Sequence, residues 1–477
     1  MLPSHRMLLV LAIALTAGPA LYAQSEAVRT RAVREVEAQQ DALVGLSDSV
    51  WRFAETALNE TRSAALLADH AEKAGLRVTR DVAGMPTAFV AEFGSGSPVI
   101  GVVGEYDALP GISQKAQPSR EALQEGAPGH GCGHNLFGAA SLGAAIAIKR
   151  LIEDGTLRGT VKFFGTPAEE AVGGKVYMAR DGIFDGVDVM LAWHPDTRTR
   201  ADTSSSQALV DLGVEFTGRS AHAAADPWNG RSAADAAEAF VHGINLLREH
   251  VQPTVRMHYV IQHAGDVPNV IPEHARVWLW VRDRTFAGVE TVLARVRDIA
   301  KGAALIAGVE SRIVPQGGDY EILVNMTGAK LLDRNLRALG EIQYTEAEQA
   351  FARQLQQAAG VEPKGIDGRV HPVEGQEFEG GSTDVGDVSW IVPTLHFSVT
   401  TAPAGVPWHA WPVVAASGMS IGHKGMMHAA KTLAVTMADL FQDPETRKAI
   451  RAEFEKQTDG FTFKPQRPDG PPQPVRQ

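Results

Sequence analysis

Four short apolar runs constrain this chain most, because each leads into a loop that carries an acidic residue or a histidine. Pro98-Val99-Ile100-Gly101-Val102-Val103, Thr160-Val161-Lys162-Phe163-Phe164-Gly165, Val187 to Trp193 and Leu395-His396-Phe397-Ser398-Val399 have the length and apolar continuity of strands buried on both faces. Helical stretches accompany them. Ala27 to Leu58 and Thr61 to Ala74 carry apolar residues at helical spacing, with Gly75 as a stop, and Gly138 to Ile152 is a helix of small residues. Strands alternating with helices predict an α/β fold, a mainly parallel sheet flanked by helices.

The middle of the chain follows another pattern. Gln207 to Phe216, Arg256 to Gln262 and Ala275 to Arg282 alternate like half-exposed strands, and Glu310 to Val314 adds a fourth. Ser232 to His250, with Ala236, Phe240, Ile244 and Leu247 on one face, and Val289 to Ile306 are helices. The order strand-helix-strand-strand-helix-strand predicts a self-contained α+β unit inserted into the first. The expected organisation is a targeting segment over 1–23, a first domain over 24–208 and 319–460, the inserted domain over 209–318, and a proline-rich, disordered tail over 461–477. In the targeting segment, His5 and Arg6 precede the apolar run Met7 to Ala17, and Leu21-Tyr22-Ala23 resembles a cleavage site. This predicts a periplasmic or secreted protein with no membrane association after cleavage; the alternative is an uncleaved anchor.

Functional groups of open parallel sheets gather beyond the carboxyl ends of strands. Here the strands run into Gly104-Glu105-Tyr106-Asp107, into Thr166-Pro167-Ala168-Glu169-Glu170, into His194-Pro195, and into a loop ending at Trp408-His409. The chain's single cysteine, Cys132, lies two residues before His134 in Gly129-His130-Gly131-Cys132-Gly133-His134-Asn135. One thiol cannot close an internal disulfide, and an exported protein keeps a lone thiol only when burial or a metal protects it. Thiolate, imidazole and carboxylate donors converging on one sheet edge suit a pair of divalent ions. Hydrolysis at such a pair also needs a carboxylate that is not a ligand, to carry a proton from water to the leaving nitrogen. Adjacent Glu169 and Glu170 allow that division of labour. His130, His423 and His428 are read as structural, and Asp384 and Asp387 either order the facing loop or cap a helix.

The segments GEYDALPG, GHGCGHN, GTPAEE, WHP, SAHAA with GRSAADA, PNVIP, STDVGDVSW, PWHAW and SIGHKGMMHAAK, from Gly104 to Lys431, resemble in order the aminoacylase/carboxypeptidase family of co-catalytic metallopeptidases, in the branch that contains the B subunit of aminobenzoyl-glutamate hydrolase. The resemblance implies a zinc-peptidase-like catalytic domain with an inserted lid and dimerisation domain. It implies that Cys132, His134, Glu170, His194 and His409 hold two divalent ions, manganese or zinc, with Cys132 bridging. Glu169 is then the general acid/base, and Asp107 orients a ligand from behind. His222 is implied to stabilise the oxyanion, reaching across a homodimer, and Asn269 and Arg282 to hold the substrate carboxylate. One departure stands out: Thr166-Pro167-Ala168 replaces the Cys-Pro-Gly often found in that branch.

The predicted activity is metal-dependent hydrolysis of N-acyl or N-aroyl amino acids or of dipeptides. A carboxypeptidase or dipeptidase is the alternative among enzymes, a non-catalytic binding protein on the same fold the alternative outside them, and a chain needing a homologous partner a further one. A net charge of −11 leaves no basic footprint for nucleic acid.

Overall fold

The structure is a computed structural model and describes residues 25–373 and 381–472. The expected targeting segment 1–23, Gly380 and the last residues of the tail, 473–477, lie outside the described residues.

In chain order the strands are β1 Arg77–Arg80, β2 Phe89–Gly94, β3 Val99–Gly104, β4 Thr160–Gly165, β5 Val189–Asp196, β6 Arg200–Ala201, β7 Ala208–Thr217, β8 Arg256–His263, β9 His274–Asp283, β10 Glu310–Asp319 and β11 Thr394–Thr400. Among the described residues they form two sheets. The first has seven strands in the order β1-β2-β4-β3-β5-β11-β6. Its centre is parallel, with β3 paired to β4 and β5, and β5 to β11, while β1, β2 and β6 add antiparallel edges. The chain leaves β3 for β4 on one side and returns to β5 on the other. That reversal opens a crevice at the carboxyl ends, where the loops converge.

The helix His134–Glu153 covers one face of this sheet and is buried along nearly its whole length. Glycine makes the close fit possible: a Cβ on Gly138 would stand 2.6 Å from the Glu105 carbonyl oxygen. A large side chain there would lift the helix, and with it His134, off the end of β3.

The second sheet is antiparallel, in the order β10-β7-β9-β8. The helices Ala233–Leu247 and Phe286–Ala307 pack on one face around Phe216, Phe240, Leu279 and Val296, a core separate from that of the first sheet. Alternating burial along β9 is why its sequence reads as a half-exposed strand.

Part of the tail expected to be disordered, 461–472, lies within the described residues. Residues 461–472 run back over the molecule: the Phe461 ring lies 4.4 Å from Trp390 and the Phe463 ring 5.5 Å from Tyr320, centre to centre. Two phenylalanine rings and one arginine hold this segment.

Candidate metal centre

Four strand ends and one helix start build the centre. Asp107 and Glu105 follow β3, Glu169 and Glu170 follow β4, and His409 lies in the loop after β11. His194 lies within the last turn of β5 rather than just past it, since that strand extends to Asp196. Cys132 precedes the helix that opens at His134. The Cys132 loop comes close to the His409 loop, with Gly131 O accepting from the His409 amide at 3.0 Å. A Cβ on Gly131 would stand 3.2 Å from His409 Cα, so glycine eases that approach.

The donor atoms fall into overlapping trios, each within 4.8 Å: Cys132, His134 and His194; Cys132, Glu170 and His409; Glu105, His134 and Glu169. Cys132 belongs to two of them. Its Sγ lies 3.4 Å from His194 Nε2, and Glu170 Oε2 lies 3.4 Å from His409 Nε2. The five side chains expected to act as ligands therefore meet, although they span 278 positions of the chain from Cys132 to His409 counted inclusively.

Supporting contacts aim the donors. Asp107 Oδ1 accepts from His134 Nδ1 at 2.9 Å, leaving Nε2 to face the centre, while Asp107 Oδ2 accepts from the Glu170 amide at 2.9 Å. His194 Nδ1 donates to the Pro195 carbonyl at 2.7 Å, which also frees its Nε2. This is the arrangement by which a ligating imidazole is fixed in tautomer and angle.

Whether a cation fits can be judged from atoms that lack partners. Glu105 Oε2, His134 Nε2 and Glu170 Oε1 are buried with no hydrogen-bond partner among the described residues. Glu105 Oε2 and His134 Nε2 lie 3.0 Å apart without hydrogen-bond geometry between them. Orphaned buried polar atoms are costly, and several aimed at one place call for an ion. Charge gives the same answer. Burial, with Glu170 nearby, pushes the Cys132 thiol well up, and burial with Glu105 and Glu170 does the same to Glu169. Glu170 is pushed up to about 7 by burial and the adjoining acidic groups. Without a cation, Cys132, Glu169 and Glu170 are held towards their protonated forms, and divalent cations reverse that logic. His194 is pushed down to about 4 by burial and by His134, which keeps it in the neutral form that binds metal.

The turn that carries the two glutamates explains the departure at Ala168. Ala168 has φ 62°, in the left-handed region that glycine enters freely and alanine at a cost of roughly 1 kcal/mol. Hydrogen bonds stabilise it: its amide donates to Glu60 Oε1 at 2.9 Å, and its carbonyl accepts from Val172 and Gly173 at 3.1 and 2.8 Å. His409 also has a positive φ, 54°. Two bent non-glycine residues at one centre are the strain expected of a functional site.

Above the centre lies a cavity of about 1160 Å³. Cys132, Glu169 and His194 line its floor, and Trp278, Trp280 and Arg282 of β9 line the facing wall. The Arg282 guanidinium stands 5.1 Å over the Trp280 ring and donates to Ser382 Oγ at 3.2 Å. His222 and Asn269 do not line this cavity. Both are exposed and adjoin each other, the Asn269 carbonyl accepting from the Ala223 amide at 3.0 Å and His222 Nδ1 accepting from Ala224 and Ala225.

Sequence reading passed over three groups. Glu105 shares the loop of Asp107 and touches His134. Lys175, fully buried, bonds Glu105 Oε1 at 2.6 Å and Asp384 Oδ1 at 2.7 Å. Glu60 is pushed up to about 8 by burial and Asp107. Only Glu105 had a signal, its place after a buried strand. Asp384 reaches Lys175 and makes no side-chain cap on the helix Val385–Ser389.

Comparison with known proteins adds to this geometry. The family described as Peptidase family M20/M25/M40 matches residues 101–369. The B subunit of the p-aminobenzoyl-glutamate hydrolase of Escherichia coli K12 is 37% identical over 456 residues, covering 89% of this chain and 94% of its own. The Xaa-Arg dipeptidase of Mus musculus is 28% identical over 92% of this chain and 94% of its own. A dinuclear metal-binding peptidase of the M20 family from Bacillus subtilis has a similar fold, with a TM-score of 0.61 at 17% identity, over 85% of this chain and 99% of that one.

Proposed function

This chain belongs to peptidase family M20/M25/M40, and we propose that it uses the Cys132 centre to hydrolyse the amide bond of N-acyl or N-aroyl amino acids, with an aminobenzoyl-glutamate-like compound as the first substrate to try. It is a metal-dependent amidohydrolase of small molecules, and its relatives cleave acylated amino acids or dipeptides. One observation carries the reading: Cys132 is shared by two donor trios beneath a cavity whose opposite wall holds the Arg282 cation.

Cys132, His134, Glu170, His194 and His409 would hold two cations, with Cys132 belonging to two of the donor trios. Bound divalent ions supply Lewis acidity at the scissile carbonyl and acidify water. The chain's residues do the rest. Asp107 keeps His134 Nε2 turned inward. Glu169, half-buried and not one of those five ligands, takes the proton of the attacking water and delivers it to the departing nitrogen. Arg282 pairs with the free carboxylate of the amino acid, as a guanidinium fork suits a planar carboxylate. Trp278 and Trp280 offer flat apolar surface to an aroyl group. The thiolate favours zinc by softness, whereas manganese is what the family branch suggests.

His222 and Asn269 would serve a second chain's site. Exposed Val260 and Ile261 on the edge strand β8, with Val267 and Val270 beyond it, support pairing through the second sheet. A homodimer is our reading; the p-aminobenzoyl-glutamate hydrolase of Escherichia coli has two distinct subunits, and a mixed pair is therefore its rival. The basic start, apolar run and Leu21-Tyr22-Ala23 support export.

The test is a panel of acylated glutamates and of dipeptides ending in arginine, offered to the purified chain loaded with manganese or zinc. Preferential release of glutamate from the aroyl compound supports the proposal. Preference for the dipeptides replaces it with a dipeptidase.

A further inference from the structure

The turn of the two glutamates is gripped from outside by the C-terminal segment. Arg467, in the tail that lies beyond the family match, is only 6% exposed. Its Nε donates to the Val172 carbonyl at 2.9 Å, and its Nη2 meets Asp319 Oδ1 at 2.6 Å. Its Nη1 donates to the Gln466 carbonyl at 2.9 Å and also to Gly318 O. Two glycines leave the slot open. A Cβ on Gly173 would collide with Nη2, and one on Gly317 would stand 3.0 Å from Nη1.

Each partner of this guanidinium matters to geometry. Val172 is three residues past Glu169, and its amide closes the turn onto Ala168. Asp319 ends β10, where the chain leaves the second sheet for the first. One side chain therefore joins the turn of Glu169 to the sheet that carries Arg282. The segment is itself anchored on both flanks. The Tyr320 hydroxyl donates to the Lys464 carbonyl at 3.2 Å, and Arg180 donates to the Gly470 carbonyl at 2.8 Å. Pro468 and Asp469 then form part of the cavity wall. A guanidinium that can reach three carbonyls and a carboxylate at once fixes their spacing in a way an ammonium cannot.

We propose that Arg467 is a positioning residue for the amide hydrolysis: it locks the Glu169–Glu170 turn to the end of β10 at a fixed distance from Arg282. The proposal rests on the reading of Glu169 as the proton carrier. Displacing a proton carrier by about 1 Å costs about 10²-fold in rate. Arg467→Ala should accordingly lower kcat by about that factor with a much smaller change in KM, because the guanidinium's bonds go to Val172, Gly318, Gln466 and Asp319. Metal content should stay at that of the unmodified chain. Millimolar guanidinium should restore part of the rate by refilling the slot, and Arg467→Lys should fall between.

An unchanged kcat in Arg467→Ala overturns the proposal. So does a loss of rate that guanidinium does not relieve and that tracks lost metal or lost folded protein. If Arg467→Ala does not fold, Arg467→Lys carries the test: full activity there removes any need for the fork. Hydrogen exchange at the Val172 and Gly173 amides separates the inference from the reading beneath it. Faster exchange in Arg467→Ala supports the grip even if the unmodified chain cleaves no acylated amino acid, an outcome that would sink the amidohydrolase reading alone. Unchanged exchange sinks the grip.

Discussion

The metal centre and the outer end of the inserted sheet both contain histidine beside polar neighbours, yet they are built differently. At the centre several side chains are aimed by a second group: His134 by Asp107, His194 by the Pro195 carbonyl, and Glu105 by Lys175. His222 and Asn269 are exposed, held through local turn and backbone contacts, and border a strand edge with exposed valines and isoleucine. The first region is complete within one chain. On the homodimer reading, the second would be half of a surface whose chemistry another copy completes. Over-determined, buried geometry therefore marks where catalysis is assembled, and exposure marks where association would finish it.

The largest effect should come from Glu169→Gln, which keeps shape and removes the proton carrier. Turnover should fall about 10²–10⁴-fold with two metals still bound, read by kinetics alongside elemental analysis. Lys175→Met comes next. It leaves Glu105 and Asp384 buried without their shared cation, so thermal or denaturant unfolding should show a loss of about 3–5 kcal/mol. Asp107→Ala should weaken metal binding about 10–100-fold through the misaimed His134, measured by titration with a competing chelator.

The opposite region is tested by complementation. His222→Ala alone and Glu169→Gln alone should both be poorly active, with metal affinity unaffected in the first. Mixing and re-pairing the two should regenerate activity, since one interface then carries both intact residues. Failure to regenerate would erase the contrast by making His222 a local residue. The smallest effect concerns neither region. Burial opposes ionisation of Glu348, but Lys424 and Thr345 hold its carboxyl down at about 2. A depressed folded value stabilises above the unfolded value near 4.3, and that stability is lost as pH falls towards 2. Glu348→Gln should flatten the acid limb of the melting temperature over that window.

Much of this was legible in the sequence. Strands buried on both faces must be apolar throughout, so β3, β4, β5 and β11 announced themselves, and the proposed ligands lie at or just beyond their ends. Other parts were not legible, for physical reasons. Lys175 looks like any lysine at a helix start until Asp384, 209 positions away, folds against it. Glu105 and Asp107 follow the same strand, and nothing local tells which faces His134 Nε2. Ala168 hides a left-handed bend that glycine would have advertised. Arg467 sits in a segment whose proline and polar content reads as disorder, because composition weighs apolar burial and ignores what one guanidinium can tie together.

The most direct measurement is anomalous diffraction at the metal edge from crystals of the loaded protein. Two peaks about 3.5–4 Å apart, with the Cys132 sulfur between them and His134, Glu170, His194 and His409 around them, are what the account predicts. Peaks at another place in the molecule, or a site that the Cys132 sulfur does not touch, would contradict it.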